Sequence, residues 1–412
     1  MLTRSYGAEP SRRVRPHRQS SLTFALLVVA LVALRVAVVV VALEQDATLG
    51  RHTVLPGDVR RYYRIGTTPG VPYRDFPVEY PPVTLGAIEL LTGPTLRSTT
   101  VAVMWSQLVV DLAIAAIVAW GWGRRASLAY LVLGTAFLFY PFLYLRLDLL
   151  SVALAVAAHA LLRRRHPTAS GVTLAVACFA KVWPVVLIPR LLLARSVRAL
   201  VAFAAVAVGG LVAWIAYGGT DGPVQVLTFR GATGWQIEST VGAVVHVFST
   251  EPARIVEGAF RIGAVPGWAT IVLFALAGAL VVFTWACARR AGDLGGALLD
   301  GVAPLAAISA LLLTATIISP QYLAWLLPFA AIAVAQHERR VAFLTYLACF
   351  LSVVDLNLVI ELRDGSPLAM IVVLARNVVL AVLLVVALGR LASAARRRGA
   401  LAALPEAQRR VA

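Results

Sequence analysis

LTFALLVVALVALRVAVVVVAL, residues Leu22 to Leu43, is broken by a single charge, Arg35. A helix needs roughly 20 apolar residues to cross the hydrocarbon core of a bilayer, and this run supplies them. It is too long for the apolar part of a signal peptide and no small-residue cleavage pattern follows, so it is expected to stay as an anchor. The rest of the chain has the same character. Of its 412 residues 60% are hydrophobic and 14% charged, where a soluble domain carries roughly 25% charged. A soluble globular enzyme is excluded, and an all-α polytopic membrane protein is expected.

Working outward from the first run, arginine clusters assign a side to each apolar segment. Further spans are predicted over Thr99–Trp122, Ala126–Tyr144, Leu147–Leu162, Thr168–Ala180, Val182–Ala194 and Ala199–Tyr217. Trp268–Ala288, Gly296–Ser319, Gln321–Ala335, Val341–Ile360 and Pro367–Leu388 complete a bundle of about 12. Arg124 and Arg125, the run Arg163 to Arg165, Arg195 and Arg198, Arg289 and Arg290, and Arg339 and Arg340 fall between alternate spans and mark the cytoplasmic side. Both termini are then cytoplasmic, in a plasma or inner membrane. The organisation expected is a basic arm (1–21), a membrane domain (22–388) with outer loops at 44–98 and 218–267, and a basic tail (389–412).

The formal charge of +17, from 37 basic and 20 acidic residues, is therefore mostly a topology signal. A nucleic-acid surface would gather its arginines on one face or tail, and here they alternate with apolar runs. Cys178, Cys287 and Cys349 lie inside apolar runs without paired spacing, so neither a disulfide nor a zinc site is indicated.

The chemistry gathers in the first outer loop. Glu44, Asp46, Asp58, Asp75 and Glu79 are interleaved there with Arg51, Arg60, Arg61, Arg64 and Arg74, with His52, and with Tyr62, Tyr63, Tyr73 and Tyr80. Carboxylates, guanidinium forks and rings at a membrane surface suit a ligand that is both sugar and phosphate. A solvated loop with incidental salt bridges is the plainer alternative.

The wording of that loop, Pro56-Gly57-Asp58-Val59-Arg60-Arg61-Tyr62-Tyr63, then Pro72-Tyr73-Arg74-Asp75-Phe76 and Glu79-Tyr80-Pro81-Pro82, resembles glycosyltransferase family 87. Later pieces resemble it in the same order: Arg146-Leu147-Asp148, Lys181-Val182-Trp183-Pro184, Gln236-Ile237-Glu238-Ser239, and Ser319-Pro320-Gln321-Tyr322 leading to Trp325 and Pro328. The resemblance implies a GT-C-type bundle with a long first outer loop. It implies inverting transfer of mannose, or in some members arabinofuranose, from a polyprenyl-phosphate carrier to a glycan or glycolipid on the outer face, forming an α-mannoside in the first case. One general base on the acceptor hydroxyl suffices for a single displacement, and Asp58 matches the position of the family's base. Capping of a short helix, Val59–Ile65, is an alternative role for Asp58, with Asp75 or Glu79 as the base instead.

Lys181, the one lysine of the chain, interrupts an apolar segment, and an intramembrane cation is buried against a partner or lines a polar cavity. With Arg146 and Arg74 it is assigned to the donor phosphate. Snorkelling of Lys181 to the interface, and pairing of Arg146 with Asp148, are the competing roles. Glu79, Tyr80, Trp235, Gln236, Glu238, Gln321 and Tyr322 are assigned to the acceptor or the sugar, and Arg230 joins the second-loop group. Some relatives carry histidine near Gln321 and Tyr322, so an acid or base role is not carried over to these two.

Arg35, Asp111, Asp355 and Arg376 lie within spans, where function and helix pairing are equally open. No metal-ligand spacing occurs among the histidines, so neither a metal nor a cofactor is expected. A secondary transporter or lipid flippase fits the same span count, but such carriers gather polar sites at the midplane in repeated halves. In this chain the polar motifs fall at outer helix ends.

Overall fold

In the computed structural model residues 18–49, 57–138, 141–292 and 296–403 are described. The basic arm before Arg18, the loop residues Arg51, His52 and Pro56, and the tail beyond Ala403 lie outside these residues, as does the side chain of Asp46.

The opening apolar run forms α1 (Arg18–Leu49), and the loop after it holds α2 (Gly57–Thr67) and α3 (Pro82–Leu91). Next come α4 (Leu96–Trp122) and α5 (Arg124–Leu133). They are parted by Gly123 alone, whose φ of +91° suits glycine. At the start of α4, Thr95 and Ser98 cap each other reciprocally. The chain continues through α6 (Asp148–Arg163), α7 (Pro167–Ala180), α8 (Ile188–Leu193) and α9 (Val197–Gly218), and the second long loop carries α10 (Asp221–Leu227) and α11 (Thr240–Phe248). It ends with α12 (Gly267–Ala291), α13 (Gly296–Asp300), α14 (Val302–Thr314), α15 (Leu327–Ala335), α16 (Arg339–Asn357), α17 (Val359–Arg363) and α18 (Pro367–Ala403).

Among the described residues six helices are long and apolar enough to cross a membrane, and they lie in α1, α4, α9, α12, α16 and α18. The other expected spans are made of shorter pieces. Ala126–Tyr144 divides into α5 and two 3-10 turns, Gly134–Phe137 and Pro141–Leu145. Gly296–Ser319 divides into α13 and α14, and Gln321–Ala335 into a 3-10 turn, Pro320–Leu326, and α15. Prolines cause most of the breaks, because a ring without an N–H cannot continue a helix but starts one well. The last helix, α18, runs unbroken past the predicted span to Ala403.

Val201, Val208 and Val212 of α9, and Ile271, Val282 and Phe283 of α12, stand exposed, an apolar surface of the kind that lipid covers. The protein is an all-α multi-pass membrane protein.

Charges inside the bundle are paired. Arg35 of α1 donates from Nε to Asp111 Oδ2 of α4 at 2.9 Å, and the Tyr130 and Tyr144 hydroxyls donate to the same carboxylate at 2.5 and 2.9 Å. At the end of the bundle where α6 finishes, Asp300 accepts from Arg190 Nη2 at 3.0 Å, Arg163 Nη1 at 3.3 Å and Trp122 Nε1 at 3.2 Å. Of the four in-span charges left open by the sequence, Arg35 therefore pairs with Asp111, and Arg376 pairs with Asp355.

The second loop carries a small antiparallel sheet in the order β1-β3-β2, with β1 (Trp235–Gln236), β2 (Arg254–Val256) and β3 (Ala259–Ile262). Glu257 and Gly258, both at positive φ, make the two-residue turn between β2 and β3. Beneath the sheet Trp235, Ile237, Ile262 and Val373 form a second apolar cluster.

Candidate active site

A cavity of about 1030 Å³ opens where α2, the turns flanking α6 and α7, the sheet and the 315–322 segment converge. Its floor is charged and its side wall is apolar.

Asp58 stands in the first turn of α2, where a carboxylate suits the helix dipole. The helix begins at Gly57, so Asp58 is not the residue before it that a cap requires. It forms an ion pair with Arg146, at the turn just before α6. The Arg146 guanidinium lies 4.5 Å over the Phe142 ring, and burial pulls it down to about 10, still charged at neutral pH.

Lys181 ends α7 in an extended conformation. Its Nζ donates to Asp148 Oδ1 at 2.5 Å and lies 4.4 Å over the Tyr322 ring. The alternative pairing of Arg146 with Asp148 is not what forms: Asp148 takes Lys181, and Arg146 takes Asp58. Trp325 donates to Asp148 Oδ1 at 3.0 Å and stacks on Tyr322 at 4.5 Å and on Trp183 at 5.0 Å. Three rings and a lysine thus form one platform.

Glu79 is buried and pairs with both Arg61 and Arg230, and Arg230 also pairs with Glu257 at the hairpin turn. Phe229 and Arg230 hold φ of +50° and +60°, a conformation costing about 1–3 kcal/mol each that is found at functional sites. Tyr80 packs edge-on against Tyr62, and burial pushes both hydroxyls above the ordinary tyrosine range. Both are therefore neutral hydroxyls.

Gln236 Nε2 donates to Glu238 Oε2 at 2.6 Å, while its Oε1 accepts from the Ile318 N–H at 2.6 Å. Ser239 then caps α11 by accepting from the Gly242 N–H at 3.1 Å. A Cβ on Gly242 would overlap the Gln236 carbonyl. Gln321 Oε1 accepts from Ser319 Oγ at 2.5 Å.

Asp58, Glu79, Tyr80, Arg146, Lys181, Gln236, Glu238, Gln321 and Tyr322 thus share one cavity. Arg74 and Trp235 do not line it. Arg74 is exposed and donates from Nη2 to the Ala216 carbonyl at 2.8 Å, because the turn at Tyr73 (φ +70°) aims it outward. Trp235 is buried under the sheet. Asp75 accepts from the Val71 N–H at 2.6 Å and closes its own exposed turn.

The sequence reading missed Glu257, Arg261 and the apolar wall. Val256-Glu257-Gly258-Ala259 is a hairpin signal, overlooked because the second loop was read without strands. Arg261 is the register partner of Gln236, and its Nε and Nη2 are buried without a hydrogen-bond partner among the described residues.

The family model described as glycosyltransferase family 87 matches residues 79–320, more than half of the chain. The chain belongs to glycosyltransferase family 87. The matched stretch holds every cavity motif from Glu79 to Pro320 and begins after Asp58. No curated protein matches the chain. Family 87 membership makes it a membrane glycosyltransferase, with a sugar donor and an acceptor to bring together. A cavity that sets carboxylates, cations and a ring platform side by side suits that task.

Proposed function

We propose that the chain transfers mannose, with inversion, from polyprenyl-phosphate-mannose to a hydroxyl of a glycan or glycolipid, leaving an α-mannoside. The observation that carries this is the two-part cavity. From the charged floor its wall continues along Val182, Val185 and Val186 to Phe274, Gly278 and Val281 of α12, the helix whose outer face is apolar and exposed. The space beside Gly278 is open. A phosphate with a long hydrocarbon tail matches both parts, and a water-soluble nucleotide sugar matches only the first.

Arg146 and Lys181 bind the donor phosphate. When the phosphate takes Arg146, Asp58 loses its partner, and a carboxylate freed from a guanidinium is the stronger proton acceptor. Asp58 then removes the proton from the acceptor hydroxyl as its oxygen attacks the anomeric carbon. The bond from that carbon to the phosphate oxygen breaks, and its electron pair stays on the phosphate, held by the two cations. Tyr322 offers its ring to the sugar, and Glu79, Tyr80, Gln236, Glu238 and Gln321 contact sugar or acceptor. We also infer that this end faces away from the cytoplasm and both termini face it, because the arginine clusters lie at the opposite helix ends.

Purified protein in lipid nanodiscs, offered polyprenyl-phosphate-mannose and polyprenyl-phosphate-arabinose in parallel with a glycolipid acceptor, tests this. Mannose transfer is expected. Transfer of arabinose alone would replace the sugar, and transfer of neither would overturn the donor class.

A further inference from the structure

Arg146 and Lys181, the two cations assigned to the donor phosphate, each hold a carboxylate, and so do Arg61 and Arg230 on the neighbouring wall. Arg261 of β3 is different. It is 3% exposed, and among the described residues its guanidinium makes one hydrogen bond, from Nη1 to the Gly234 carbonyl at 3.0 Å. Its Nε and Nη2 are buried and have no partner.

Those two atoms carry the parallel N–H groups of one edge of the guanidinium, the edge that takes both oxygens of a carboxylate or phosphate at once. Elsewhere in the molecule the same edge is filled. Arg363 places Nε and Nη2 on the Asp364 carboxylate at 2.6 and 3.0 Å, and Arg390 places them on Glu338. Both of those arginines are well exposed, where water would serve as well. Arg261 keeps the edge empty in the interior, where unpaired charged donors are costly.

Residues opposite each other in an antiparallel pair share a face of the sheet, as do residues two apart in one strand. Arg261 lies opposite Gln236 and two residues beyond Ala259, and both of these line the cavity. Its guanidinium carbon is 5.7 Å from the ring centre of Phe229, which lines it too. Trp235 and Ile262, on the other face, are packed into the second apolar cluster. On its far side Arg261 is opposite Arg254 of β2, which is exposed and has no carboxylate partner among the described residues. Like charges directly opposite are destabilising, and an anion between them turns that cost into an attraction.

We propose that Arg261, with Arg254 beside it, is a second oxyanion site of the cavity and takes a phosphodiester or carboxylate group carried by the acceptor. The inference rests on the transfer reading for which substrate fills the site. The donor is set aside by count: a polyprenyl-phosphate-sugar is a diester with one negative charge, and Arg146 and Lys181 already meet it. The acceptor is the substrate left, and Gln236 across the ladder is among its assigned contacts. An anionic glycolipid is then selected over a neutral glycan.

The test uses three acceptors built alike, a mannosylglycerol joined to a dialkylglycerol through a phosphodiester, through a glucuronic acid or through a neutral ether. With detergent-purified protein and no donor, an anionic acceptor is expected to raise the wild-type melting temperature more than the ether does, and Arg261→Gln to remove the difference. With polyprenyl-phosphate-mannose added, wild-type protein is expected to favour an anionic acceptor over the ether about tenfold to a hundredfold in kcat/KM. The anion preferred names the group. Arg261→Gln is expected to bring the ratio close to one, Arg261→Lys to recover part of it, and Arg254→Gln to lower it about threefold. A merely structural role for Arg261 would lower all rates and leave the ratio unchanged, and a donor role would raise donor KM at constant ratio. Either result, or equal use of the three acceptors by wild-type protein, would overturn the proposal. Should Arg261→Gln fail to fold, the wild-type ratio and Arg254→Gln decide. Absence of transfer to every acceptor would instead sink the transfer reading, and the melting comparison would decide the oxyanion site alone.

Discussion

Asp111 and Asp148 are both buried beside a cation, yet they differ in what the cation has left to give. Around Asp111, Arg35 spends its donors on the carboxylate and on the Leu31 and Leu131 carbonyls, and two tyrosine hydroxyls fill the remaining acceptor sites. Its side chain is 1% exposed. Lys181, by contrast, gives one donor to Asp148, rests on aromatic rings and stays 27% exposed toward the cavity. An ion pair in a bundle is a fastening when every donor is used inside. It is available to a ligand when a cation keeps donors facing open space.

Asp58→Asn strikes the cavity side of this comparison hardest. Loss of a general base costs about 100- to 10,000-fold in kcat. The amide can still bond Arg146, so melting temperature should not move. Retained transfer would leave Asp58 as a mere partner for Arg146. Asp111→Ala strikes the closed side, stranding Arg35 in the bundle, and is expected to cost about 3–5 kcal/mol of stability, read as a fall in melting temperature. Removing Arg35 as well should restore most of that loss. If Asp111→Ala instead abolished transfer in well-folded protein, the closed pair would be no mere fastening.

Lys181→Ala should act between these extremes. A charge-assisted hydrogen bond to phosphate contributes about 1.5–3 kcal/mol, so donor KM should rise roughly tenfold to a hundredfold while acceptor KM holds. A change confined to acceptor KM would move Lys181 off the donor.

The same distinction explains what was legible in the sequence. Spans are composition, and hydropathy finds them, but it does not see that Pro141 cuts a predicted span into short pieces, or that the chain after Pro320 runs on as a 3-10 turn before α15. Those breaks are where the cavity forms, because a helix that stops early leaves room beyond its end. Lys181 was visible as a polar interruption of apolar text, and Asp58 and Glu238 through the motifs of the two outer loops. Their partners were not: Arg146 chose Asp58, more than 80 residues away, over Asp148 two residues along. Phe274, Gly278 and Val281 look like any other residues of a span, and only the empty space beside them sets them apart.

Arg74→Ala is expected to have the smallest effect, and it tests whether a loop cation is a site cation by proximity alone. Its guanidinium donates to the Ala216 carbonyl in the last turn of α9, where a positive charge meets the negative end of the helix dipole. At an exposed position that is worth about 0.3–1 kcal/mol. A melting temperature lower by a few degrees at most is expected, with donor KM within about twofold of wild type. A rise in donor KM as large as that for Lys181→Ala would mean that the Val71–Phe76 turn swings over the cavity when donor binds. The exposed pairs would then belong with the cavity, and the line between closed and open pairs would have to be drawn in the liganded state.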